Sequence, residues 1–418
     1  LATEAGVPST YFTSEPATDS LGLRQHALSP IETLAQSIST IAPSTTPLVT
    51  IPLVFALAGS ATWLAYLLAL TCMVLMAFCI AVFARDSASP GSLYAYTRAT
   101  LPPVFAFVSA WALLFAYIAT ATSMIGGMLT YGYASLGGLE RYLPPALFAV
   151  LVTACVVWVA YRDIKVSAQC MLWVEGVTIS LITVVLATIL WRHGLHIDGA
   201  QFHLRGSDVP GVRLGVILAV FSFVGFESAT TLGAEARQPL KTIPRAVVQS
   251  AVLAGLFFVA CSYTEVLGFD GSRQNLGTST APLRLLASSV GVGLLGPIID
   301  IGVLISMFAC MLACVIAAAR ILLLMAHHGL VHRHLRKTHS GHETPWVAGI
   351  AAGALAMLPG VVLAARGVSG GDIYGWMGSL AVYGFLTAYG LIAVALPVHL
   401  HRRGRLTGGA WALAIAAG

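Results

Sequence analysis

Charge is what this chain has least of. Only 9% of its 418 residues are Asp, Glu, Lys or Arg, while 57% are hydrophobic; soluble domains carry about 25% charged residues. That shortage excludes a soluble globular protein. Short strands of alternating polarity are also missing, so a transmembrane barrel is excluded and a helical polytopic membrane protein is left. The seven cysteines (Cys72, Cys79, Cys155, Cys170, Cys261, Cys310, Cys314) form no disulfide framework. All lie in apolar runs, where cysteine is expected to serve as a buried small hydrophobe. Cys310 and Cys314 share a helix face, but two thiols without further ligands make no metal site. There is no phosphate-binding loop, nucleophile–base pair or metal motif, which argues against an ATP-driven pump in this chain and against an enzyme. No cleavable signal peptide is visible. The chain starts at Leu1 rather than Met and stops at Gly418 inside a fresh apolar run, as a fragment would.

What is present is a series of apolar runs of membrane-spanning length, since about 20 such residues cross the hydrocarbon. Residues 1–28 are polar and rich in Ser and Thr, and read as a disordered cytoplasmic tail. Spans are predicted over residues 31–58, 61–83, 104–134, 143–161, 167–191, 214–232, 247–269, 297–326, 346–365 and 374–397. A transporter domain thus covers 29–398, in halves 29–191 and 212–398, and 399–418 is a cytoplasmic loop with the start of span 11. A short helix is expected across Leu283–Val290. With the amino terminus inside, roughly 15 of the 22 Lys and Arg residues fall on the cytoplasmic side, the usual positive-inside bias. The net charge of +5 is therefore a topology signal rather than a nucleic-acid footprint. Six histidines between His327 and His342 raise a metal reading, but their spacing implies no fixed ligand geometry and a solvated basic loop explains them better.

Two spans break the rules of a membrane helix. In span 6, Leu214–Leu232 (LGVILAVFSFVGFESATTL), Gly225 sits mid-run and Glu227 follows. A carboxylate at such depth costs about 2.5–3.5 kcal/mol on insertion scales and faces a protein interior or a watery cavity. Span 1 holds Pro43, Pro47 and Pro52 with Ser44, Thr45, Thr46 and Thr50 among them. Each proline removes an amide donor and clashes with the preceding turn. Irregular backbone survives in a membrane only where protein or a cavity surrounds it. A simple proline kink is the rival reading of span 1.

The two broken helices open two five-span halves, and an odd number inverts the second half relative to the first. Free amide ends suit a carboxylate, and free carbonyl ends suit a cation. The chain resembles the amino acid–polyamine–organocation (APC) permeases. The resemblance rests on Phe221-Ser-Phe-Val-Gly-Phe-Glu227, Glu235-Ala-Arg-Gln-Pro239, Lys241-Thr-Ile-Pro-Arg245, Pro90-Gly-Ser-Leu-Tyr-Ala-Tyr96 and Ala319–Gly329. It implies a LeuT-like 5+5 inverted repeat with discontinuous helices 1 and 6. It also implies uptake or exchange of an amino acid or amine, commonly proton-coupled. Carried onto this sequence, Phe221, Ser222 and Gly225 would form the unwound substrate segment of span 6. Ala42, Ser44, Thr45 and Thr46 would face it from span 1, and Tyr117 of span 3 is a candidate pocket wall. In span 1 this chain has proline and hydroxyl residues where many amino acid carriers have glycines. Thr178 stands where certain proton-coupled members hold a lysine, and span 8 offers Ser306 beside the poor oxygen donors Ala309 and Cys310, which favours protons or exchange over sodium.

Among the acids, Glu227 and Glu175 are the candidates for proton coupling or gating. Glu265 and Asp300 read as solvated residues near the outer boundary, and Arg320 as a snorkelling residue at the inner one. The expected function is a secondary carrier in the plasma membrane, moving a small amino acid or amine by alternating access. No cofactor, metal or nucleic acid is implied, and no feature sets an oligomeric state. A polyamine or organic-amine carrier, a non-transporting amine sensor and a channel are the alternatives.

Overall fold

Ser29 starts the first helix. In the computed structural model, which describes residues 21–417 except 136, 138–141, 163, 195–197, 273, 280, 340 and 341, its side chain caps the Glu32 amide while Glu32 returns a bond to the Ser29 amide at 2.7 Å. This capping box, with Pro30 in the first turn, satisfies amides that a helix start leaves free. The expected tail at 1–20 and His196 lie outside the described residues. Residues 21–28, predicted as part of that tail, are packed: Leu21, Leu23, Ala27 and Leu28 are buried. Leu28 exchanges backbone bonds with Glu235 and Arg237 (2.9 and 3.0 Å), so the chain before span 1 pairs with the chain after span 6.

The helices, in order, are α1 (Pro30–Ile41), α2 (Ile51–Ala58), α3 (Thr62–Ala84), α4 (Ser92–Thr100), α5 (Pro103–Ser135), α6 (Pro145–Arg162), α7 (Ile164–Arg192), α8 (Gly199–Phe202), α9 (Val209–Phe221), α10 (Pro239–Phe269), α11 (Pro282–Ser289), α12 (Leu295–His327), α13 (Trp346–Ala365), α14 (Gly370–Arg402) and α15 (Gly408–Ala417). Among the described residues, seven helical segments are long and apolar enough to cross a membrane, with Pro30–Ala84 counted as one; Pro145–Tyr161, Val209–Phe221 and Gly408–Ala417 are shorter apolar helices. The predicted short helix is α11. Helix α4 replaces a predicted loop; Leu93, Tyr96, Thr97 and Thr100 fall on one face and are buried, where α4 packs on α5 and α14.

Helices at matching places in the two halves lie against each other: α3 on α10, α5 on α12, α6 on α13. Packing also sorts the helices into two groups. One joins α1, α2, α3, α9 and α10; the other joins α5, α6, α12, α13 and α14. Small residues permit the closest approaches: a Cβ on Gly126 would strike the backbone of Gly370 and Tyr374, and one on Gly384 would strike Ala112. No disulfide joins the described cysteines; Cys72 and Cys155 are exposed, against the expectation that all are buried.

Two expectations about charge are corrected. Glu265 and Asp300 are buried, at 0% and 1% exposure, rather than solvated; Asp300 pairs with Arg284 of α11. Arg320 does not snorkel. It is 2% exposed and holds both oxygens of Glu235 in a two-pronged ion pair at 2.6 and 2.7 Å, tying α12 to the segment after span 6. Sequence alone missed the pair because its members are 85 positions apart.

Leaving one member of a buried ion pair uncompensated costs about 3–5 kcal/mol. Glu235→Gln and Arg320→Met should each lower the thermal midpoint of the purified protein in detergent, and the double change should recover part of the loss. Unchanged midpoints in both single variants would contradict the assignment. Beyond the end of α12, His328 shares a 2.6 Å hydrogen bond with buried Tyr94. Burial, then the nearby cations Arg98, His327 and Arg336, hold its imidazole down to about 4. The unfolded imidazole takes a proton below about pH 6.5, so this contribution is complete above that pH and is lost as pH falls towards about 4. His328→Asn should flatten that part of the acid limb in thermal-unfolding scans.

Candidate functional site

The span 1 break follows from its residues. Helix α1 closes on Ala42, which adopts a left-handed conformation (φ 48°) and returns its amide to Ile38. Pro43 has no amide to offer. The Thr45 amide bonds back to Ala42 at 2.9 Å. Helical winding resumes as a wide turn over Thr46–Thr50 and becomes α2. Between the two halves, Ser44 gives its amide to one oxygen of Glu175 (2.7 Å) and its hydroxyl to the other (3.2 Å). Ser306 of α12 also faces Glu175. The free amide end of the second half-helix of span 1, which becomes α2, is therefore already occupied by a carboxyl group of the protein itself.

Span 6 breaks at the predicted place. Helix α9 ends at Phe221, the chain turns through residues 222–227, and Ser228–Leu232 forms a short tight helix. Gly225 has φ 97°, a conformation that disfavours any side chain, and a Cβ there would strike Thr40 at the end of α1. The Gly225 amide bonds Glu227 Oε2 at 3.2 Å. Tyr117 of α5 donates to Oε1 and Tyr389 of α14 to Oε2, both at 2.7 Å. The Glu227 carboxyl thus has three donors and no exposure.

The breaks meet. Ser37 donates to the Phe226 carbonyl at 2.7 Å and accepts from the Ala229 amide at 3.1 Å. Thr40 and Ser228 share a 2.8 Å hydroxyl bond. Between them is a closed cavity of about 10 Å³, room for about one water. Of the predicted site residues, Ala42, Thr45, Thr46, Phe221 and Ser222 line it. Ser44 instead turns to Glu175, and Gly225 and Tyr117 serve Glu227. Thr50, Thr120, Met124, Cys310 and Tyr374 also line it and were not among the predicted substrate residues; only folding brings α5, α12 and α14 here. The buried Thr45 hydroxyl has no partner. Ser222 bonds Tyr66 at 3.1 Å, and Thr50 bonds Tyr374 at 3.0 Å.

The amides from Ser222 to Phe226 are all bonded within the chain, to Ala219, Val220, Phe221, Glu227 and Phe223 in order. The carbonyl ends of α1 and α9 point the negative poles of two half-helices at the cavity. A cation is favoured here over an anion. Among the described residues, no group of three or more His, Cys, Asp or Glu side chains is placed to hold a metal ion. A larger groove, about 780 Å³, lies between α6, α12 and α13 and shares no lining residue with this cavity.

Removing one donor from a buried carboxyl costs about 1–3 kcal/mol. Tyr117→Phe and Tyr389→Phe should each destabilise the purified protein by that amount in thermal or denaturant unfolding. Wild-type stability in both would mean that Glu227 is not held by these hydroxyls.

Comparison with known proteins agrees with this geometry. The family model described as amino acid permease matches residues 28–417. The branched-chain amino acid permease BcaP of Bacillus subtilis is 26% identical over 360 residues, covering 82% of this chain and 74% of its own. The low-affinity putrescine importer PlaP of Escherichia coli K12 is 26% identical, covering 70% of this chain and 66% of its own. The structure of MhsT in complex with L-phenylalanine superposes with a TM-score of 0.64 at 16% identity, covering 94% of this chain and 97% of that one; at that identity the likeness speaks for the fold. The inverted pair of broken helices is thus that of a LeuT-fold transporter, and the chain belongs to the amino acid permease family.

Proposed function

We propose that this protein is a secondary carrier that moves an amino acid or related amine across the plasma membrane by alternating access, with its amino terminus on the cytoplasmic side. The observation that supports this most is the meeting of two unwound segments around a closed cavity lined by Ala42, Thr45, Thr46, Phe221 and Ser222. A substrate ammonium would lie against the carbonyl ends of α1 and α9 with the Thr45 hydroxyl beside it. Glu227 and Glu175 are gating residues in this reading: each holds one break in the closed form, and opening exchanges their bonds. Protons are the proposed coupling ion.

One observation favours an amine without a carboxylate within this class. In related carriers a glycine-rich break would present amides to an α-carboxylate. Here Pro43 has none, Ala42 and Thr45 use theirs within the turn, and Ser44 gives its own to Glu175. A carboxylate-bearing substrate would have to displace Glu175.

Counterflow in proteoliposomes tests both points. Vesicles loaded with unlabelled putrescine should take up labelled putrescine transiently and saturably, and those loaded with L-leucine should do so more weakly. An unsaturated ion current in place of counterflow would indicate a channel, and binding without counterflow would indicate a sensor. Stronger counterflow with L-leucine would overturn the preference for an amine.

A further inference from the structure

Among the described residues, Glu265 is the one glutamate deep in the fold whose carboxyl the closed structure leaves without a hydrogen-bond partner. Glu227 has three donors and Glu175 has two. Glu265 is 0% exposed, and neither carboxyl oxygen has a hydrogen-bond partner. It lies on α10, one turn from buried Cys261. An isolated carboxylate cannot remain ionised in such surroundings; it must carry a proton or hold a cation.

Its neighbours give the position meaning. Tyr66 of α3 packs on Phe258 of α10, ring centroids 6.0 Å apart, two turns before Glu265 on the same helix face; Tyr131 of α5 lies within electrostatic reach of Asp300 first, then of Tyr374 and Glu265. The Tyr66 hydroxyl is bonded to Ser222 in the span 6 break. The Tyr131 hydroxyl donates to the Leu48 carbonyl, just past the span 1 break, at 2.7 Å. Among the described side chains on the elements packed against α10, Glu175 is engaged with Ser44, Arg192 of α7 with the Ser289 carbonyl, Arg284 with Asp300, and Glu32 of α1 in its capping box. No cation is placed to neutralise Glu265 within the described residues.

We infer that Glu265 is the residue on which the transported proton rides, and that its ionisation competes for the tyrosine hydroxyls that hold the two breaks. This rests on the carrier reading and adds to it the identity of the coupling site. In the closed form the carboxyl is the neutral acid, and Tyr66 and Tyr131 keep their bonds to Ser222 and Leu48. Release of the proton to water on one side leaves a carboxylate, a far stronger acceptor than a serine hydroxyl or a peptide carbonyl. It draws one or both hydroxyls to itself, frees the groups at the breaks and favours the open form. Uptake of a proton from the other side reverses this. Only O–H bonds form and break, and each cycle moves one proton. Coupling follows because the two protonation states prefer different conformations. Glu227 and Glu175 do not compete for this role, because their carboxyl oxygens are already committed to fixing the breaks.

Two measurements on the full chain decide the matter, with Glu265→Gln as the variant, since an amide copies the shape of the neutral acid. In proteoliposomes with labelled putrescine and, separately, labelled L-leucine, wild type should show counterflow and also accumulation driven by a pH gradient. Glu265→Gln should keep counterflow and lose gradient-driven accumulation. If the variant retains that accumulation with wild-type pH dependence, the inference fails while the carrier reading stands. If wild type shows counterflow but no response to a pH gradient, the inference fails as well. If neither probe gives wild-type counterflow, the carrier reading loses its support, and the second measurement still judges Glu265. Infrared spectra of the purified protein in detergent report the carbonyl stretch of a protonated carboxyl. The wild-type spectrum minus that of Glu265→Gln should show one such band at neutral pH. Its absence overturns the assignment even where the variant transports nothing.

Discussion

Lipid offers a broken helix no hydrogen bonds. At the centre of a bilayer, each amide and carbonyl released by a break must find its partner in the protein, because an unmet backbone group there costs several kcal/mol. The two breaks meet that demand in different ways. Span 6 answers within its own turns and through Glu227, whose side chain reaches back to the Gly225 amide. Span 1 answers with Ala42 and with a carboxyl from another helix, Glu175. The hydroxyls of Ser37, Thr40 and Ser228 then join the breaks to each other. Small hydroxyl residues suit this task. They bond backbone without demanding space, so the segments can lie close enough for Gly225 to rest on Thr40.

That tight satisfaction has a cost for motion. A cavity of about 10 Å³ does not admit an amino acid or a diamine, so the described state is a closed one. Opening requires bonds to be exchanged rather than lost, since each loss would be felt at full strength in low dielectric. Tyrosine hydroxyls are useful here because they both donate and accept. Tyr66, Tyr117, Tyr131, Tyr374 and Tyr389 all place their hydroxyls on groups at or near a break.

Much of this was legible in the sequence. Pro43, Pro47 and Pro52 mark one break and Gly225 the other, since each residue type limits the backbone locally. Glu227 and Glu175 stood out because ionisable residues are rare in apolar runs. What could not be read is what folding assembles. Glu265 and Asp300 looked solvated because hydropathy places them near a span end, and sequence does not tell that α10 and α12 bury those ends. The Arg320–Glu235 pair and the contact of Leu28 with Ala236 join distant positions with no local signature. Helix α4 went unseen because its nine residues are not apolar overall and lie between two spans, although Leu93, Tyr96, Thr97 and Thr100 keep a helical period.

The placement of the acids follows the division of the helices into two groups. Glu227 belongs to the break beyond α9, yet its hydroxyl partners come from α5 and α14 in the other group. Glu235 follows span 6, and its arginine is on α12. Thr50 meets Tyr374, and the Thr40 carbonyl accepts from Cys310, again from opposite groups. Within a group, helices are joined largely by apolar packing and close backbone approach, which do not depend on protonation. Across the seam, the strong contacts include carboxylates and charge-assisted bonds, whose strength changes with protonation and with a competing charge. A rocking motion that spares the interior of each group must break bonds at the seam. On the proposed reading, a proton leaving Glu265 reaches the seam through Tyr131 of α5 and the interior of the first group through Tyr66. On the proposed reading, Glu227 and Glu235 therefore sit where a change in charge bears most on the contacts between the two groups.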